Sequence, residues 1–357
     1  MLIQSLLVFP SEFEILENII PFNKEKPFSL GLSHSRFDDS LDILNYSDKL
    51  KSTKPVKAST DNVYLSYVYK KLKFAYEFSD SSGTVTRSTQ PFSLKTNVDS
   101  DSFFIGYNFF QNESRSYELS LFSREEKQDP LVIDCYAFGN TVLGGSCEEA
   151  KVRSLNSEIY KSTGELVYEP VLRLSGDSDT QGIVLRITSK SLGLLNFNHS
   201  FTFTNSTINQ NFQSNILNTT DQFIRNTIID GQNAGELLDR FKNELPQRTP
   251  WKENTFKYSV GNLIPLGDNF AFSGMYTFIK VNRNDYLNNP NKEDFTKNHV
   301  MDLSLFYRLS NYGTFYVKVS AFSNYLLGVN PLAYNRRSNH LFDHPYGQIN
   351  AGLIFNF

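Results

Sequence analysis

Histidine and serine stand next to each other at two places. These are the residue types that act as base and nucleophile in a hydrolytic site. The two places are His199–Ser200 and the run Ser33–His34–Ser35. Both lie in segments predicted to be strands, where neighbouring side chains point to opposite faces. His199 and Ser200 therefore cannot meet as base and nucleophile. His34 is predicted at a strand end, without an evident carboxylate to orient it. We expect the protein not to be an enzyme.

A second group of chemically active residues lies near the end of the chain. His340 and His344 stand four residues apart, with Asp343 beside them. On a helix this spacing would suit three metal ligands. Pro345 follows directly and disfavours a helix there. The sequence also lacks a glycine-rich phosphate loop and a Cys-x-x-Cys pair. We expect neither a metal nor another cofactor.

Charged residues at alternate positions form the largest group. Eight basic and four acidic residues lie opposite rows of apolar side chains, which predicts that they face the interior of a barrel. These residues are Lys73, Glu77, Glu118, Arg124, Glu169, Arg173, Arg186, Lys190, Lys257, Asp302, Arg308 and Lys318. A basic lining would favour anionic solutes, since charged rings set the selectivity of a pore. The alternative is that cross-strand ion pairs hold the wall together.

The two cysteines of the chain are Cys135 and Cys147, and both fall in one loop-like stretch. Two cysteines so close together, with none elsewhere, predict a local disulfide formed outside the cytoplasm. The alternative is a pair of free thiols.

The elements that must position these residues are strands with alternating apolar and polar positions. About fourteen are predicted, each about ten residues long, which is the length that crosses a bilayer when tilted. Their ranges are 28–36, 62–69, 72–79, 102–110, 115–124, 154–162, 165–175, 181–190, 193–205, 254–263, 269–281, 299–309, 312–325 and 347–357. Pro170 lies inside one of them and donates no ladder bond, so a bulge or another register is expected there. Counts of about 12 or 16 strands stay open.

Short turns alternate along the chain with long polar connections, as in outer-membrane barrels. The long connections are predicted at 37–61, 80–101, 125–153, 206–252, 282–297 and 326–346. The largest, 206–252, has helical spacing at Leu237, Phe241 and Leu245. Such a helix could constrict the barrel, cover its mouth, or rest on the rim as a surface helix. Residues 1–27 are interpreted as an N-terminal segment, either a signal remnant or a short plug, and 28–357 as one barrel domain.

Composition excludes several other classes. The chain has 357 residues, 14% aromatic, and a net charge of −3. It is too aromatic for a disordered protein, and no basic field is available to bind nucleic acid. No apolar run is long enough for a transmembrane helix.

The final segment, 348–357, alternates up to its last residue. Its apolar face holds Ile349, Ala351, Leu353, Phe355 and Phe357. With this strand and the alternation upstream, the chain resembles the bacterial outer-membrane β-barrel class, without a motif of any one family. The resemblance implies an all-β antiparallel transmembrane barrel with short periplasmic turns and long extracellular loops. It also implies that Ile349, Leu353, Phe355 and Phe357 belong to a signal for the barrel-assembly machinery.

The expected location is therefore the bacterial outer membrane, with lipid, lipopolysaccharide and small solutes as partners. The predicted function is a channel or transporter for small polar solutes, anionic ones in particular. The alternative is a surface receptor, an adhesin or an export-assembly barrel that acts through its long loops.

Overall fold

The structure is a computed structural model, and it describes most of the chain. The described residues are 26–38, 56–87, 92–112, 114–133, 146–164, 172–190, 196–214, 225–226, 228–229, 232–233, 235–236, 239, 250–284, 296–323 and 346–357.

The elements whose bounds the structure gives are fourteen strands and two helices. The strands are β1 (Phe28–Asp38), β2 (Val56–Tyr69), β3 (Leu72–Arg87), β4 (Phe92–Gln111), β5 (Arg115–Ile133), β6 (Leu172–Lys190), β7 (Asn196–Ser214), β8 (Ile228–Ile229), β9 (Gln232–Asn233), β10 (Trp251–Pro265), β11 (Phe270–Asn284), β12 (Lys297–Arg308), β13 (Gly313–Phe322) and β14 (Tyr346–Asn356). The helices are α1 (Cys147–Leu155) and α2 (Glu158–Thr163).

Twelve of the strands form one closed antiparallel barrel, in which each strand pairs with its neighbours along the chain. Pairing of β1 with β14 closes the ring, from Ser29 opposite Asn356 to Phe37 opposite Gln348. The remaining two strands, β8 and β9, pair only with each other. The prediction of an all-β barrel is confirmed, and the barrel has twelve strands, one of the counts left open, rather than about fourteen.

Two errors in the sequence analysis account for the difference. The predicted strands 165–175 and 181–190 form a single strand, β6, because Gly176 to Thr180 continue the ladder with β5 and β7. The predicted strand 154–162 is helical, because α1 and α2 occupy 147–163. Pro170 lies outside the described residues.

Both helices begin at a serine that caps the backbone. The Glu149 amide donates to Ser146 Oγ at 3.2 Å, and Glu149 Oε2 accepts from the Ser146 amide at 3.3 Å. This reciprocal pair is a capping box. Ser157 Oγ accepts from the Tyr160 amide at 3.0 Å, and α2 ends at Gly164 in the left-handed region, with φ of 74°. Among the described residues, no helix has the length and hydropathy needed to span a bilayer.

The barrel strands are longer than predicted. β4 has 20 residues, and β5, β6 and β7 have 19 each, whereas about 9–11 residues suffice to cross a bilayer. The predicted loops 37–61, 80–101, 125–153, 206–252 and 282–297 are therefore strand in part. We expect the surplus to extend beyond the membrane at the end where the long loops lie.

The connection between β7 and β10 is helical at 235, 236 and 239, near the residues whose spacing predicts a helix, but its described part is not helical throughout. The β8–β9 pair, with Ile228 opposite Asn233, interrupts it. Arg225 and Asp239 are joined on either side of that pair by an ion pair of 2.6 Å. Leu237, Phe241 and Leu245 lie outside the described residues.

The opposite end of the barrel has tight turns. Lys70, with φ of 55°, joins β2 to β3. Asn112 Oδ1 accepts from the Ser114 and Arg115 amides between β4 and β5, at 3.0 and 2.7 Å. The first strand, β1, and the last strand, β14, also meet at this end, since the Phe357 amide donates to the Phe28 carbonyl at 2.8 Å.

The outer face is an apolar band. Its large side chains are exposed although they are aliphatic or aromatic, with Leu121 at 55%, Phe203 at 57% and Met301 at 54%. In water, such a continuous apolar surface would cause the protein to aggregate. In a bilayer, the same surface faces the hydrocarbon chains of the lipid. The barrel is therefore a transmembrane barrel.

Glycines let two large rings pack against the inner wall. A Cβ at Gly182 would lie 2.2 Å from the Phe122 ring, and one at Gly352 would lie 2.6 Å from the Tyr316 ring. Gly182 faces Phe122 across the β5–β6 ladder, and Gly352 faces Tyr316 across the β13–β14 ladder. Each glycine thus makes room for the ring on the neighbouring strand.

On the outer face near the long-loop end, Asp99 lies among other carboxylates. Partial burial and the nearby charges of Asp80, Asp129 and Asp101 raise the pKa of Asp99 above its usual value of 3.8. Lys127, its register partner on β5, opposes this shift only in part. The folded barrel therefore favours the ionised form of Asp99 less than the unfolded chain does.

The substitution Gly182→Ala should destabilise the barrel by about 1–3 kcal/mol, because the new methyl group overlaps the Phe122 ring. Urea unfolding in detergent micelles, followed by the gel shift between folded and unfolded barrel, would measure this loss. Gly274→Ala is the matched control, since a Cβ there meets its nearest neighbour at 3.6 Å. In the double variant Gly182→Ala, Phe122→Ala, the loss should be smaller than the sum of the two single losses, because the overlap with the ring is gone. Equal stability of the two alanine variants would contradict this account.

Replacing Asp99 by asparagine should raise the unfolding temperature at pH 7, because it removes a repelled carboxylate. The gain should shrink as the pH falls toward 3.8, since the folded wild type then takes up the proton itself. Asp177→Asn is the control, because Asp177 accepts a bond of 2.6 Å from Asn209 and faces Lys127. A gain independent of pH, or an equal gain in the control, would rule this explanation out.

Candidate functional site: the inner wall of the barrel

The inner wall is built mainly from small polar side chains. Along β2, residues of even number face inward, so Thr60, Asn62 and Ser66 are buried while Asp61 and Leu65 are exposed. The other barrel strands show the same alternation. The side chains are short because residues from all twelve strands must share one interior.

The structure places nine of the twelve predicted charged residues on the inward-facing positions. These are Lys73, Glu77, Glu118, Arg124, Arg186, Lys257, Asp302, Arg308 and Lys318, of which only Arg308, at the short-turn end, is exposed. Glu169 and the side chain of Lys190 lie outside the described residues.

Arg173 is a correction to the predicted set. It is exposed and has the same parity as the exposed Asp177 and Asp179, so it lies on the outward-facing side of β6. The prediction treated 165–175 as a separate strand with its own alternation. Because β6 is continuous from 172 to 190, the parity of Arg186 determines that of Arg173.

Three inward-facing charges were missed, namely Glu126, Glu253 and Arg283. They are 1–3% exposed as residues or as side chains. Each lies just beyond a predicted strand end, at 124, 254 or 281. The outward neighbours at this level are charged or polar, so the apolar alternation no longer marked the strand. Continuing the inward-facing alternate positions of each strand past its predicted end would have identified all three residues.

These charges take part in a polar ladder on neighbouring strands. In register, Ser102 lies opposite Arg124, Arg124 opposite Thr180, and Thr180 opposite Ser206. Arg124 Nε donates to Ser102 Oγ at 3.2 Å. Thr180 Oγ1 and Ser206 Oγ share a bond of 2.8 Å.

Ion pairs neutralise the charges along this ladder. Arg124 lies 3.8 Å from Glu126, which also accepts from Ser178 Oγ at 2.7 Å. At the far side of the ladder, Arg283 Nε donates to Glu253 Oε1 at 3.2 Å.

Two further contacts show how closely the inward charges are paired. Trp251 Nε1 donates to Glu253 at 3.1 Å, so this carboxylate accepts from an indole as well as from a guanidinium. Nearer the short turns, Arg186 donates to Glu118 at 2.9 Å. Such pairing offsets the cost of holding charge away from water.

An apolar layer crosses the interior below the ladder. Its buried members come from β2, β3, β4, β10, β11, β12, β13 and β14, and Phe122 packs against them. They are Tyr64, Ala75, Phe104, Leu263, Ala271, Phe306, Tyr316 and Ile354, each 0–4% exposed. Since even the Tyr316 ring is inaccessible to water, these side chains fill the part of the interior that they line.

The histidines of the described strands, His34, His199 and His299, lie on the outer wall. His199 Nδ1 is 3.1 Å from Tyr258 Oη, and Ser200 takes the opposite, inward-facing parity, as the alternation predicted. His34 differs from expectation, because it lies within β1 rather than at a strand end. Its Nδ1 is 2.8 Å from Asp61 Oδ1, a carboxylate that the sequence analysis did not identify. The absence of enzymatic activity stays a prediction.

The predicted disulfide and the predicted histidine and aspartate group lie partly or wholly outside the described residues. Cys147, the first residue of α1, is disulfide-bonded, and no described cysteine is free. Its predicted partner Cys135 lies outside the described residues, as do His340, Asp343 and His344. Among the residues that the structure describes, no cluster of three His, Cys, Asp or Glu side chains could hold a metal.

The last strand takes the position that its alternation predicted. Ile349, Leu353 and Phe355 face outward from β14, while Gln348 and Asn350 are buried inside. The Phe357 ring lies 6.2 Å from that of Phe28. The role of this strand in assembly stays a prediction.

Comparison with protein-family models gives no match, and neither does comparison with curated protein sequences. Comparison with solved structures gives bacterial outer-membrane barrels. The translocator domain of the autotransporter NalP from Neisseria meningitidis superposes with a TM-score of 0.54 at 9% identity, covering 97% of this chain and 94% of that one. The β domain of the Bordetella autotransporter BrkA gives 0.50 at 6% identity, covering 93% and 100%. These similarities concern the fold alone.

The closed ring, the apolar outer band and the polar inner wall define a transmembrane β-barrel of the bacterial outer-membrane class. The bacterial outer membrane is therefore its location, with lipid against the outer band.

Removing Arg283 should destabilise the barrel by about 3–5 kcal/mol, because Glu253 would be left charged and buried. The emission of Trp251, the one tryptophan in the chain, would follow urea unfolding of Arg283→Ala. Arg225→Ala is the control, since the Arg225 and Asp239 side chains are 27% and 56% exposed and such a pair contributes about 1 kcal/mol or less. A loss no larger than the control's would refute the proposed contribution of the buried pair.

Proposed function

We propose that this barrel is a narrow, gated channel for small polar solutes, with a preference for anions. The observation that supports it is the inward-facing set of charges, which extends from the short turns to the long-loop end. Within the described residues it has seven basic members, Lys73, Arg124, Arg186, Lys257, Arg283, Arg308 and Lys318. The five acidic members are Glu77, Glu118, Glu126, Glu253 and Asp302.

The sign of this set supports the preference for anions. The set has seven positive and five negative members. If each negative charge is paired with a positive one, an excess of two positive charges is left. The potential inside a barrel follows such an excess, since low-dielectric walls focus the field. Lys257 is one of the basic members of this set and lies on an inward-facing position of β10.

The apolar layer supports the gate. A solute that passes along the polar wall must cross Phe306, Tyr316 and their neighbours, whose side chains are buried and apolar. Hydrophobic constrictions gate channels by excluding water. The resting barrel is therefore closed, and opening needs these rings to move aside.

A second candidate is a surface protein that acts through its extracellular end. The length of β3 to β7, which are 16 to 20 residues each, favours this alternative. Strands of that length raise the connecting loops well above the membrane. In that case the interior is a filled support, and solutes do not pass.

The conductance of planar bilayers separates these two functions. Wild-type barrels should show brief, small openings, whereas the double variant Phe306→Ala, Tyr316→Ala should conduct steadily, because the gate has lost two rings. Tyr307→Ala with Phe315→Ala is the matched control, since these neighbours on the same strands face outward and should leave conductance unchanged. In the open variant, Lys257→Gln should shift the reversal potential toward cations.

The channel proposal fails if the correctly folded double variant stays silent, and the surface function is then favoured. The gel shift between folded and unfolded barrel verifies folding in each case. Steady conductance without an effect of Lys257→Gln would retain the gate and contradict the anion preference.

A further inference from the structure

The outer face of the barrel near the long-loop end is charged, and its two sides differ in sign. On β4, β5 and β6 the exposed outward-facing carboxylates at this end include Asp101, Glu125 and Asp179. On β10, β11 and β12 the charged outward-facing residues at this end are Lys252, Lys280 and Lys297. The outward positions of β10, β11 and β12, all of which the structure describes, include no Asp or Glu. This side of the outer face therefore attracts anions.

Lys280 and Lys297 form what we call the lysine pair. They lie directly opposite each other in the β11–β12 ladder, and both are exposed. Like charges that lie directly opposite each other destabilise a sheet. The ammonium group of Lys280 has neither an ion pair nor a hydrogen bond with another described residue. An anion from outside the protein would relieve the repulsion between the two lysines.

The lysine pair lies at the edge of the hydrocarbon. Lys280 is the eleventh residue of β11, counted from the short-turn end at Phe270, and about 9–11 residues of a tilted strand cross a bilayer. Lys297 is the first residue of β12, which has 12 residues. Both ammonium groups are therefore at the level of the lipid head groups.

Four rings lie next to the lysine pair on its membrane side and form what we call the aromatic row. Phe201, Tyr258, Phe278 and His299 are register partners on β7, β10, β11 and β12. The ring centroids of Phe201 and Tyr258 are 5.0 Å apart, and those of Phe278 and His299 are 5.4 Å apart. Aromatic rings concentrate where a membrane meets water, and this row offers a surface for the upper part of an acyl chain.

Two amides lie on the other side of the lysine pair, further toward the long loops. Asn254 and Asn282 are opposite each other in the β10–β11 ladder, and both are exposed. Asn205 Nδ2 donates to Asn254 Oδ1 at 2.8 Å. Side-chain amide groups donate to phosphate and hydroxyl oxygens, so rings, cations and amide donors follow one another along this surface.

The position of this surface in the membrane points to one class of lipid. The long loops of outer-membrane barrels are extracellular, so the lysine pair meets the outer leaflet. That leaflet consists of lipopolysaccharide, whose lipid A part has acyl chains below a phosphorylated glucosamine head group. Ammonium groups form strong charge-assisted hydrogen bonds with phosphate. The carboxylates of β4, β5 and β6 would repel the same group.

We propose that the outer surface of β10, β11 and β12 binds the lipid A part of one lipopolysaccharide molecule. A phosphate lies between Lys280 and Lys297, an acyl chain lies along Phe278, and the amides of Asn254 and Asn282 donate to the head group. The site does not depend on conduction through the interior, so it exists whether or not the barrel is a channel.

Native mass spectrometry of the full chain in detergent tests this site. The probes are lipid A and the same lipid A after enzymatic removal of its phosphates. The wild type should retain one phosphorylated molecule, with the dephosphorylated form weaker by a factor on the order of tenfold. Equal retention of the two forms would overturn the proposal. An excess of inorganic phosphate should leave lipid A bound, and displacement by inorganic phosphate would show a site for free anions instead.

Variants locate the binding. Lys280→Gln with Lys297→Gln should lower retention of lipid A to the level of its dephosphorylated form. Lys127→Gln with Arg173→Gln is the matched control, because it removes two exposed outward-facing cations from β5 and β6 and should retain lipid A like the wild type. The gel shift between folded and unfolded barrel verifies folding in both variants. If both double variants lose lipid A equally, or if neither does, the lysine pair is not the site.

Thermal unfolding separates binding from a structural role of the lysines. Lipid A should raise the unfolding temperature of the wild type and of the control, because a ligand that binds only the folded barrel stabilises it. It should not raise that of the variant without the lysine pair. In detergent without lipid A, this variant should be at least as stable as the wild type, since the like charges are gone. A variant less stable than the wild type without lipid A would contradict the proposed role of the pair.

Discussion

Inside a bilayer, every backbone N–H and C=O group must find its partner within the protein, and this constraint accounts for the architecture. The pairing of β1 with β14 removes the two edges that the sheet would otherwise expose. Once the sheet is closed, each strand position faces either hydrocarbon or the interior. Parity along the strand then decides what kind of side chain a position tolerates.

The interior has to be filled as well as kept polar. Its glycines and serines leave room for a few large rings, so Phe122 packs over Gly182 and Tyr316 over Gly352. Charges toward the long-loop end occur in hydrogen-bonded pairs, such as Glu253 with Arg283, because an isolated ion would be costly there. The inner wall thus has an apolar layer near the short turns and paired charges above it. A solute route, if open, would meet these two environments in turn.

The sequence predicts the fold well where one face of a strand meets hydrocarbon. Leu303 and Leu305 alternate with Asp302 and Ser304, and β12 lies where this alternation predicts it. It fails at 154–162, where the strand prediction rested on alternation alone and did not take into account the capping box of Ser146 and Glu149. Local hydrogen-bonding signals were present at those helix starts, and they outweigh a two-residue period that no bilayer enforces.

Strand ends are harder to predict, for a physical reason. Above the level of Phe103 the outer face becomes polar, with Glu125 and Asp179 in place of Leu121 and Ile183. The inner face is polar at that level too, so the contrast between the faces disappears while backbone pairing continues.

The missed inward-facing charges belong to this region of lost contrast, because Glu126, Glu253 and Arg283 occupy strand positions just beyond the apolar band. Backbone pairing, rather than amphipathicity, determines how far a strand runs once it leaves the lipid. The same principle explains the misplacement of Arg173, since a strand that continues without interruption keeps one parity from the membrane to the loops. Parity propagated along an unbroken ladder is therefore the sounder guide to which charges share the interior.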